Sequence, residues 1–269
     1  MHPFDFVKHR IPIAAEFGHC VVLTYAFPRA VLEPLVAPGL SLDCHEGRAF
    51  LAVALVQTRD LRPSGLPRRC GRDFFLCGYR IFTRFETPEG RLLRGLQILR
   101  SDSDKRSMVW AGNALTRYSY EHARVDFRTN DRSLEVRVRT KDRHADLDLA
   151  VAFDGGALPS RSPFESLKVA RRFAGPLPNT FSYESRSDSM LVIRGVRSAW
   201  RPKPVRVLSV ESGFLEDGVL AGSEPLLASA FHLSNISYLW ERGVRYSLRS
   251  PRSAHRSVRG LRAEGGVCG

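Results

Sequence analysis

Seven consecutive apolar residues, Phe50-Leu51-Ala52-Val53-Ala54-Leu55-Val56, constrain this chain more than any other feature. The run is far shorter than the roughly 18 residues of a membrane span, yet it does not alternate as a half-solvated strand would. It reads as a strand buried on both faces, and such a strand needs further layers around it. The sequence supplies them as strand-like segments joined by tight turns. Residues 73–85 (DFFLCGYRIFTRF) form a long aromatic strand, and Thr87-Pro88-Glu89-Gly90 turns it back onto 93–99. Segments 124–128 and 133–140 flank Thr129-Asn130-Asp131-Arg132. In the second of them Leu134, Val136 and Val138 alternate with Glu135, Arg137 and Arg139, giving one wet face. Another hairpin joins 181–185 to 189–196. With 18–27, 40–43, 145–153, 205–210 and 226–238, roughly ten to twelve strands are expected.

Helices are few. Val31, Leu32, Leu35 and Val36 make one apolar face after Pro28, and Pro34 keeps that helix short or kinked. Met108, Trp110, Ala111 and Leu115 share a face in a short helix over 107–117. Ser162 is placed as an N-cap with Pro163 in the first helical position, and this helix runs to about 173, before Gly175-Pro176. The fold class is therefore mainly β: one antiparallel, barrel-like domain over 1–248 with helices outside it or capping an end. The tail, 249–269, is rich in Ser, Arg and Gly and is expected to be disordered.

Composition narrows the function. The net charge is +13, but 36 of the 41 basic residues are Arg, they are spread along strands and turns, and the tail alone carries +4. That is the pattern of a solvated basic surface rather than of a nucleic-acid site. Five Cys without a Cys-x-x-Cys pair and eight scattered His give no expectation of a metal. No phosphate loop, nucleophile elbow or dinucleotide fingerprint is present, so no cofactor is expected. Asp5, Lys8, His9 and Arg10 interrupt any secretory pattern, and the expectation is a cytoplasmic protein, off the membrane, whose partner is a small molecule. A homo-oligomer stays open.

The stretch 93–125 gathers the most chemistry. After the strand at 93–99, Arg100-Ser101-Asp102-Ser103-Asp104-Lys105-Arg106 reads as a polar turn. Asp102 and Asp104 can share a proton or a cation; alternatively they bond turn amides and pair with Arg100 and Arg106. Arg100 and Asp102 suit a polar ligand, since guanidinium binds carboxylate through two bonds. Tyr118, Tyr120 and His122 alternate and so share a face. Facing inward they would orient a carbonyl or serve as general acid and base; facing outward they are a surface stripe. Asp104, Tyr120 and His122 are the catalytic candidates, and Arg100, Asp102, Tyr118 and Trp110 the ligand-binding ones. Trp110 and Trp200 also suit a core, as does His232 between Phe231 and Leu233.

A resemblance sharpens this. Tyr25-Ala26-Phe27-Pro28, Leu35-Val36-Ala37-Pro38-Gly39-Leu40, Gly47-Arg48-Ala49-Phe50, Leu61-Arg62-Pro63-Ser64-Gly65-Leu66-Pro67, Ser101-Asp102-Ser103-Asp104 and Val109-Trp110 with Tyr120 and His122-Ala123-Arg124 follow one another in the order of the YqjF-like family. That family, of unknown function, falls in the acetoacetate decarboxylase-like superfamily. The resemblance implies a closed, mostly antiparallel β-barrel around a ligand-sized cavity. It also implies a test, because the decarboxylases form a Schiff base on a lysine of a Lys-Lys pair. After Trp110 this sequence reads Ala111-Gly112-Asn113-Ala114-Leu115, without the pair. The family arginine after the first tyrosine is replaced by Ala26, and Phe74, Phe75 and Leu76 stand where a pocket glutamate would lie. Lys105, next to Arg106, is a displaced candidate, but a lysine in a polar turn is normally solvated. The expected function is binding of a small acidic or carbonyl-bearing metabolite, with acid–base chemistry and no Schiff base. The alternative is a non-catalytic interaction module on the same fold.

Overall fold

The computed structural model describes residues 10–175, 177–198 and 201–248; the basic tail, Trp200 and Cys268 lie outside the described residues. Two strands of 16 residues, β1 (Ile13–Pro28) and β3 (Arg48–Pro63), run antiparallel along almost their whole length and form the spine. Between them lie α1 (Arg29–Leu32), continued by a 3-10 turn over Glu33–Leu35 at Pro34, and the short β2 (Leu40–Leu42). Residues 49–56 are all buried, as continuous apolarity requires.

The chain then builds β4 (Arg72–Glu86), β5 (Leu92–Ser103), α2 (Arg106–Leu115), β6 (Tyr120–Thr129), β7 (Ser133–Thr140) and β8 (Leu147–Ala152). It continues through α3 (Leu167–Ala174), β9 (Asn179–Glu184), β10 (Ser189–Arg197) and β11 (Lys203–Pro204). It closes with β12 (Arg206–Ser212), α4 (Gly213–Glu216), β13 (Leu226–Trp240) and β14 (Val244–Ser247). Pairing runs β5-β9-β10-β13-β1-β3-β4, and β4 pairs back with β5, so these strands complete a ring. A second sheet, β6-β7-β8-β12, branches from β5.

Two parallel joints depart from the expected antiparallel pattern. β5 pairs parallel with β6 and with β9. The first follows from the helical crossover: α2 carries the chain back, so β6 starts beside the end of β5 and runs the same way. The polar stretch also differs from expectation. Arg100 to Ser103 continue β5, and Ser101, Asp102 and Ser103 are buried in it. Hydrophobicity marked the wrong boundary because Arg100 pairs with Asp102 on the same strand and reaches Glu121 and Asp142, so the charges of this stretch are matched within the fold. The third helix starts at Leu167, capped by Ser166 Oγ accepting from Val169 N at 3.3 Å. Ser162 instead donates to Ala228 O at 2.7 Å.

The two faces of the spine have different jobs. Val21, Leu23, Leu51, Val53, Leu55, Cys77, Tyr79 and Ile81 pack against Leu134, Val136, Val138, Leu147 and Leu149 of the second sheet. The opposite face lines the inside of the ring. One end of that inside is plugged by α3 and its approach: Phe173 lies 4.9 Å from Phe50 and 6.0 Å from Phe82, and Phe164 stacks on Phe50 at 5.3 Å. Buried Asp43 holds the same end, accepting from Arg84 and Arg94, each at 2.6 Å; Arg94 also lies over the Phe173 ring at 4.8 Å. Phe82→Ala removes a side chain only 2 % exposed from this plug. We expect a loss of about 3–5 kcal/mol in unfolding free energy, measured by denaturant titration.

Candidate functional site

Cross-strand register decides which side chains meet inside the ring, because residues opposite one another point to the same side of a sheet. Cys20 opposes Val56, and Val56 opposes Leu76. Two and four residues on, Gly78 and Arg80 share that side, and Arg80 opposes Ile98. Leu96 opposes Thr180, Thr180 opposes Ile193, Arg197 opposes Tyr238, and Tyr238 opposes Ala15. The circuit thus brings Arg80, Arg197, Tyr238 and Cys20 to one interior. Ser101 opposes Tyr120, which adds the start of β6 to it.

Arg80 is the centre of this group. Its guanidinium lies along Gly78, where a Cβ would come within 3.2 Å of Nη2, so glycine leaves the space that the arginine occupies. Its Nε is buried and has no hydrogen-bond partner. The nearby carboxylates on this side are engaged elsewhere: Glu184 accepts from Arg245 at 2.8 Å and faces Arg117 at 3.8 Å, and Asp43 holds Arg84 and Arg94. A guanidinium cannot lose its proton to relieve burial. The positive charge therefore stands among phenols and a thiol.

Those phenols are held by α2 and the turn after it. Tyr120 packs its ring on Gly112, where any side chain would overlap it. Asn113 fixes the Tyr120 backbone from both sides, donating to its carbonyl at 2.9 Å and accepting from its N–H at 2.8 Å. Ser119, at φ +49°, makes the kink that lets Tyr118 and Tyr120 reach the same cluster, their rings 6.3 Å apart. Burial pushes the Tyr120 phenol up to about 12, with Arg80 pulling against it. Burial likewise raises Tyr118 and Tyr238, and Arg80 opposes the shift in each. All three stay protonated near neutral pH and serve as hydrogen-bond donors. Val22, Leu76, Arg80, Leu96, Ile98, Tyr120, Thr180, Tyr238 and Trp240 on this side all keep partial accessibility.

The residues singled out from sequence divide between several places. Tyr118 and Tyr120 join the interior cluster. His122 lies beyond it, in an open groove of about 650 Å³ formed with Arg106, Val109, Trp110, Asn113 and Ala114; Trp110 is 74 % exposed there. Arg100 and Asp102 point to the other face of β5, opposite Tyr79 and Cys77. Arg100 donates to Asp102 at 3.0 Å, Glu121 at 2.9 Å and Asp142 at 2.9 Å, tying β5 to the second sheet. Asp104 accepts from Phe75 N at 2.7 Å, and Lys105 Nζ sits 3.4 Å from it, exposed. His232 is buried, 3.0 Å from His19 and stacked on Phe153. Arg80 was not anticipated. Its signal was an arginine on the otherwise apolar Leu76, Gly78, Phe82 side of an aromatic strand. Among the described residues no group of three or more His, Cys, Asp or Glu is placed to hold a metal, and no helix is long and apolar enough to cross a membrane.

The description uncharacterized conserved protein, DUF2071, matches residues 14–235. The chain belongs to this YqjF-like family. Its fold is similar to that of solved acetoacetate decarboxylase-like proteins. An acetoacetate decarboxylase from Legionella pneumophila superposes with a TM-score of 0.59 at 11% identity, covering 88% of this chain and 87% of that one. The enduracididine biosynthesis enzyme MppR, in complex with pyruvate, superposes at 0.53 with 12% identity over 87% and 90%. An acetoacetate decarboxylase-like enzyme from Sphingomonas wittichii RW1 gives 0.52 at 11% over 90% and 92%. At such identities the likeness is one of fold. No curated protein matches the sequence.

Asp102 provides a pH signature within the family fold. Burial raises its carboxyl to about 6 against the pull of Arg100. The folded state then holds a proton that the unfolded chain releases near 4, so this group favours folding at low pH. Its contribution is lost as pH rises from about 4 to 6. Asp102→Asn should remove that downward component, and comparing denaturant midpoints of the two proteins at pH 4, 5, 6 and 7 checks it.

Proposed function

We propose that this YqjF-like protein binds a small acidic, carbonyl-bearing metabolite inside the ring of strands, which acts as a β-barrel enclosing a ligand cavity. The observation that carries the reading is Arg80: a permanently charged, half-buried guanidinium with an unpartnered Nε, surrounded by protonated phenols. Burying an unpaired cation is costly, and an anionic ligand relieves the cost while accepting bonds from the fork-shaped guanidinium. Tyr118, Tyr120 and Tyr238 supply neutral donors for a carbonyl oxygen or for the enolate that forms from it. A donor aimed at developing oxyanion charge is the main way such a site accelerates chemistry. Raised phenols suit general-acid rather than general-base work at neutral pH.

Schiff-base chemistry is not part of the proposal. The four lysines among the described residues, Lys105, Lys141, Lys168 and Lys203, are all exposed. A lysine nucleophile needs desolvation or a neighbouring cation in a shielded site to become a neutral amine. The likeness to a pyruvate-binding fold neighbour makes 2-oxo acids the first ligands to try. Function in the cytoplasm, without metal, cofactor or nucleic acid, completes the reading.

A second reading, a non-catalytic interaction module, draws on the open groove around Trp110, which lies outside the interior cluster. The experiment separating the two is calorimetric titration with pyruvate. We expect Arg80→Gln to abolish detectable binding and Tyr120→Phe to weaken it by about tenfold, the scale of one lost hydrogen bond to a charged group. Trp110→Ala should leave it unchanged. Binding that survives Arg80→Gln would overturn the interior site. Borohydride added with pyruvate should leave the protein mass unaltered, whereas a trapped adduct would restore a Schiff-base lysine.

A further inference from the structure

Three polar groups of the interior each lie over a glycine: Arg80 over Gly78, Tyr120 over Gly112 and Tyr238 over Gly195. The third differs in kind. At Gly112 an added Cβ would meet ring carbons, whereas at Gly195 the first atom it would overlap is the Tyr238 hydroxyl oxygen. Gly195 is buried in β10, its backbone lies outside the left-handed region, and its N–H donates to Pro178 O at 2.6 Å. Glycine is needed there for room and not for conformational freedom. The Tyr238 ring is clamped in turn: Phe17 stacks on it at 4.8 Å, Trp240 lies at 4.5 Å and the Arg197 guanidinium at 5.4 Å. A clamped ring over a bare backbone fixes where the hydroxyl points.

That ring stands across from Arg80. In the circuit β5-β9-β10-β13-β1-β3-β4, strand β13 lies three steps from β4 in one direction and four in the other. Tyr238 and Arg80 therefore come from facing walls. Burial lifts the Tyr238 phenol and Arg80 pulls against it, so the cation and the hydroxyl act on one another. Tyr118 feels Tyr120, Tyr238 and Arg80 together. Its own hydroxyl is closed off from solvent, whereas Tyr238 keeps partial access and lines an open depression of about 270 Å³ with Ala15, Val196 and Ser237. Resting on the interior site proposed above, we infer that Tyr238 is the residue that recognises the ligand's carbonyl oxygen, and that Gly195 is the positioning residue for its hydroxyl. A carboxylate seated on Arg80 puts the adjacent carbonyl oxygen of a 2-oxo acid toward the facing wall, where a neutral phenol donates to it. A plain carboxylic acid of the same length offers no acceptor there. The site thus separates 2-oxo acids from unsubstituted acids, a distinction that the charge of Arg80 alone does not make.

Pyruvate and propionate share the carboxylate and the three-carbon chain and differ in the carbonyl oxygen. In calorimetric titration of the full chain, pyruvate should bind about tenfold or more tightly than propionate, the scale of one hydrogen bond. Tyr238→Phe should remove most of that preference by weakening pyruvate while propionate stays within about twofold. Gly195→Ala should do the same, because the displaced hydroxyl no longer meets the ligand, whereas a merely structural disturbance weakens both acids alike. The double variant should bind pyruvate no more weakly than Tyr238→Phe, since effects that pass through one hydroxyl do not add. An equal loss for both acids in Gly195→Ala at unchanged melting temperature, or a further loss in the double variant, would overturn the role of Gly195. A preference for pyruvate that survives Tyr238→Phe would overturn the whole inference, and it does so even where Gly195→Ala fails to fold. Binding of both acids that depends on Arg80 with no preference between them would overturn it and sustain the interior site. Binding of neither would remove both.

Discussion

Everything in this fold depends on β5 having three partners. Along one edge it pairs with β4. Along the other its first half takes β9, over Gly95 to Gln97, and its last residues, Ser101 to Ser103, take β6. The fork separates the ring from the second sheet. Gly95 is where the fork opens: a Cβ there would come 2.5 Å from Asn179 O and 2.7 Å from the Phe181 ring, so only glycine lets β9 approach. Backbone pairing is obligatory for buried peptide groups, and closing the circuit leaves β4 and β5 with no open edge between them.

The fork also assigns the two faces of β5 to different chemistry. Arg100 and Asp102 look toward the second sheet and are consumed in an ion network with Glu121 and Asp142. The alternate side chains, Ile98 and Ser101, look into the ring with Arg80 and Tyr120. A period of two means that a single register decides which charges are structural and which are available. The Arg100 network is saturated with carboxylates. Among the described residues Arg80 pairs with no carboxylate, and that asymmetry rather than charge density separates the site from its surroundings.

A buried charge is costly whether it serves structure or function, and the two uses are told apart by pairing. Asp43 with Arg84 and Arg94, and Glu184 with Arg245, are complete within the protein. Arg80, by contrast, is half-buried and its Nε has no hydrogen-bond partner. The helix α2 contributes less by its own exposed face than by what it pins: Gly112 and Asn113 hold Tyr120 in place, so the phenol is fixed before any ligand arrives.

The sequence by itself determined the strands, most hairpins, the short helices and the family. Continuous apolarity at 50–56 and alternation at 134–139 are local signals of burial, and turn residues at 87–90 and 129–132 are local signals of reversal. It also carried the absence of a Lys-Lys pair after Trp110 and the Tyr118, Tyr120 candidates. Three things were decided only by tertiary structure. Residues 100–103 became strand because β4 and β6 pair with their backbone and Glu121 and Asp142 meet Arg100. Arg100 and Asp102 turned away from the interior because the register of β5 against β4 put them there. Arg80 on β4 and Tyr238 on β13, far apart in the chain, came to share one interior because the ring closes. Strand periodicity states which residues share a side, but only closure states which side is inside.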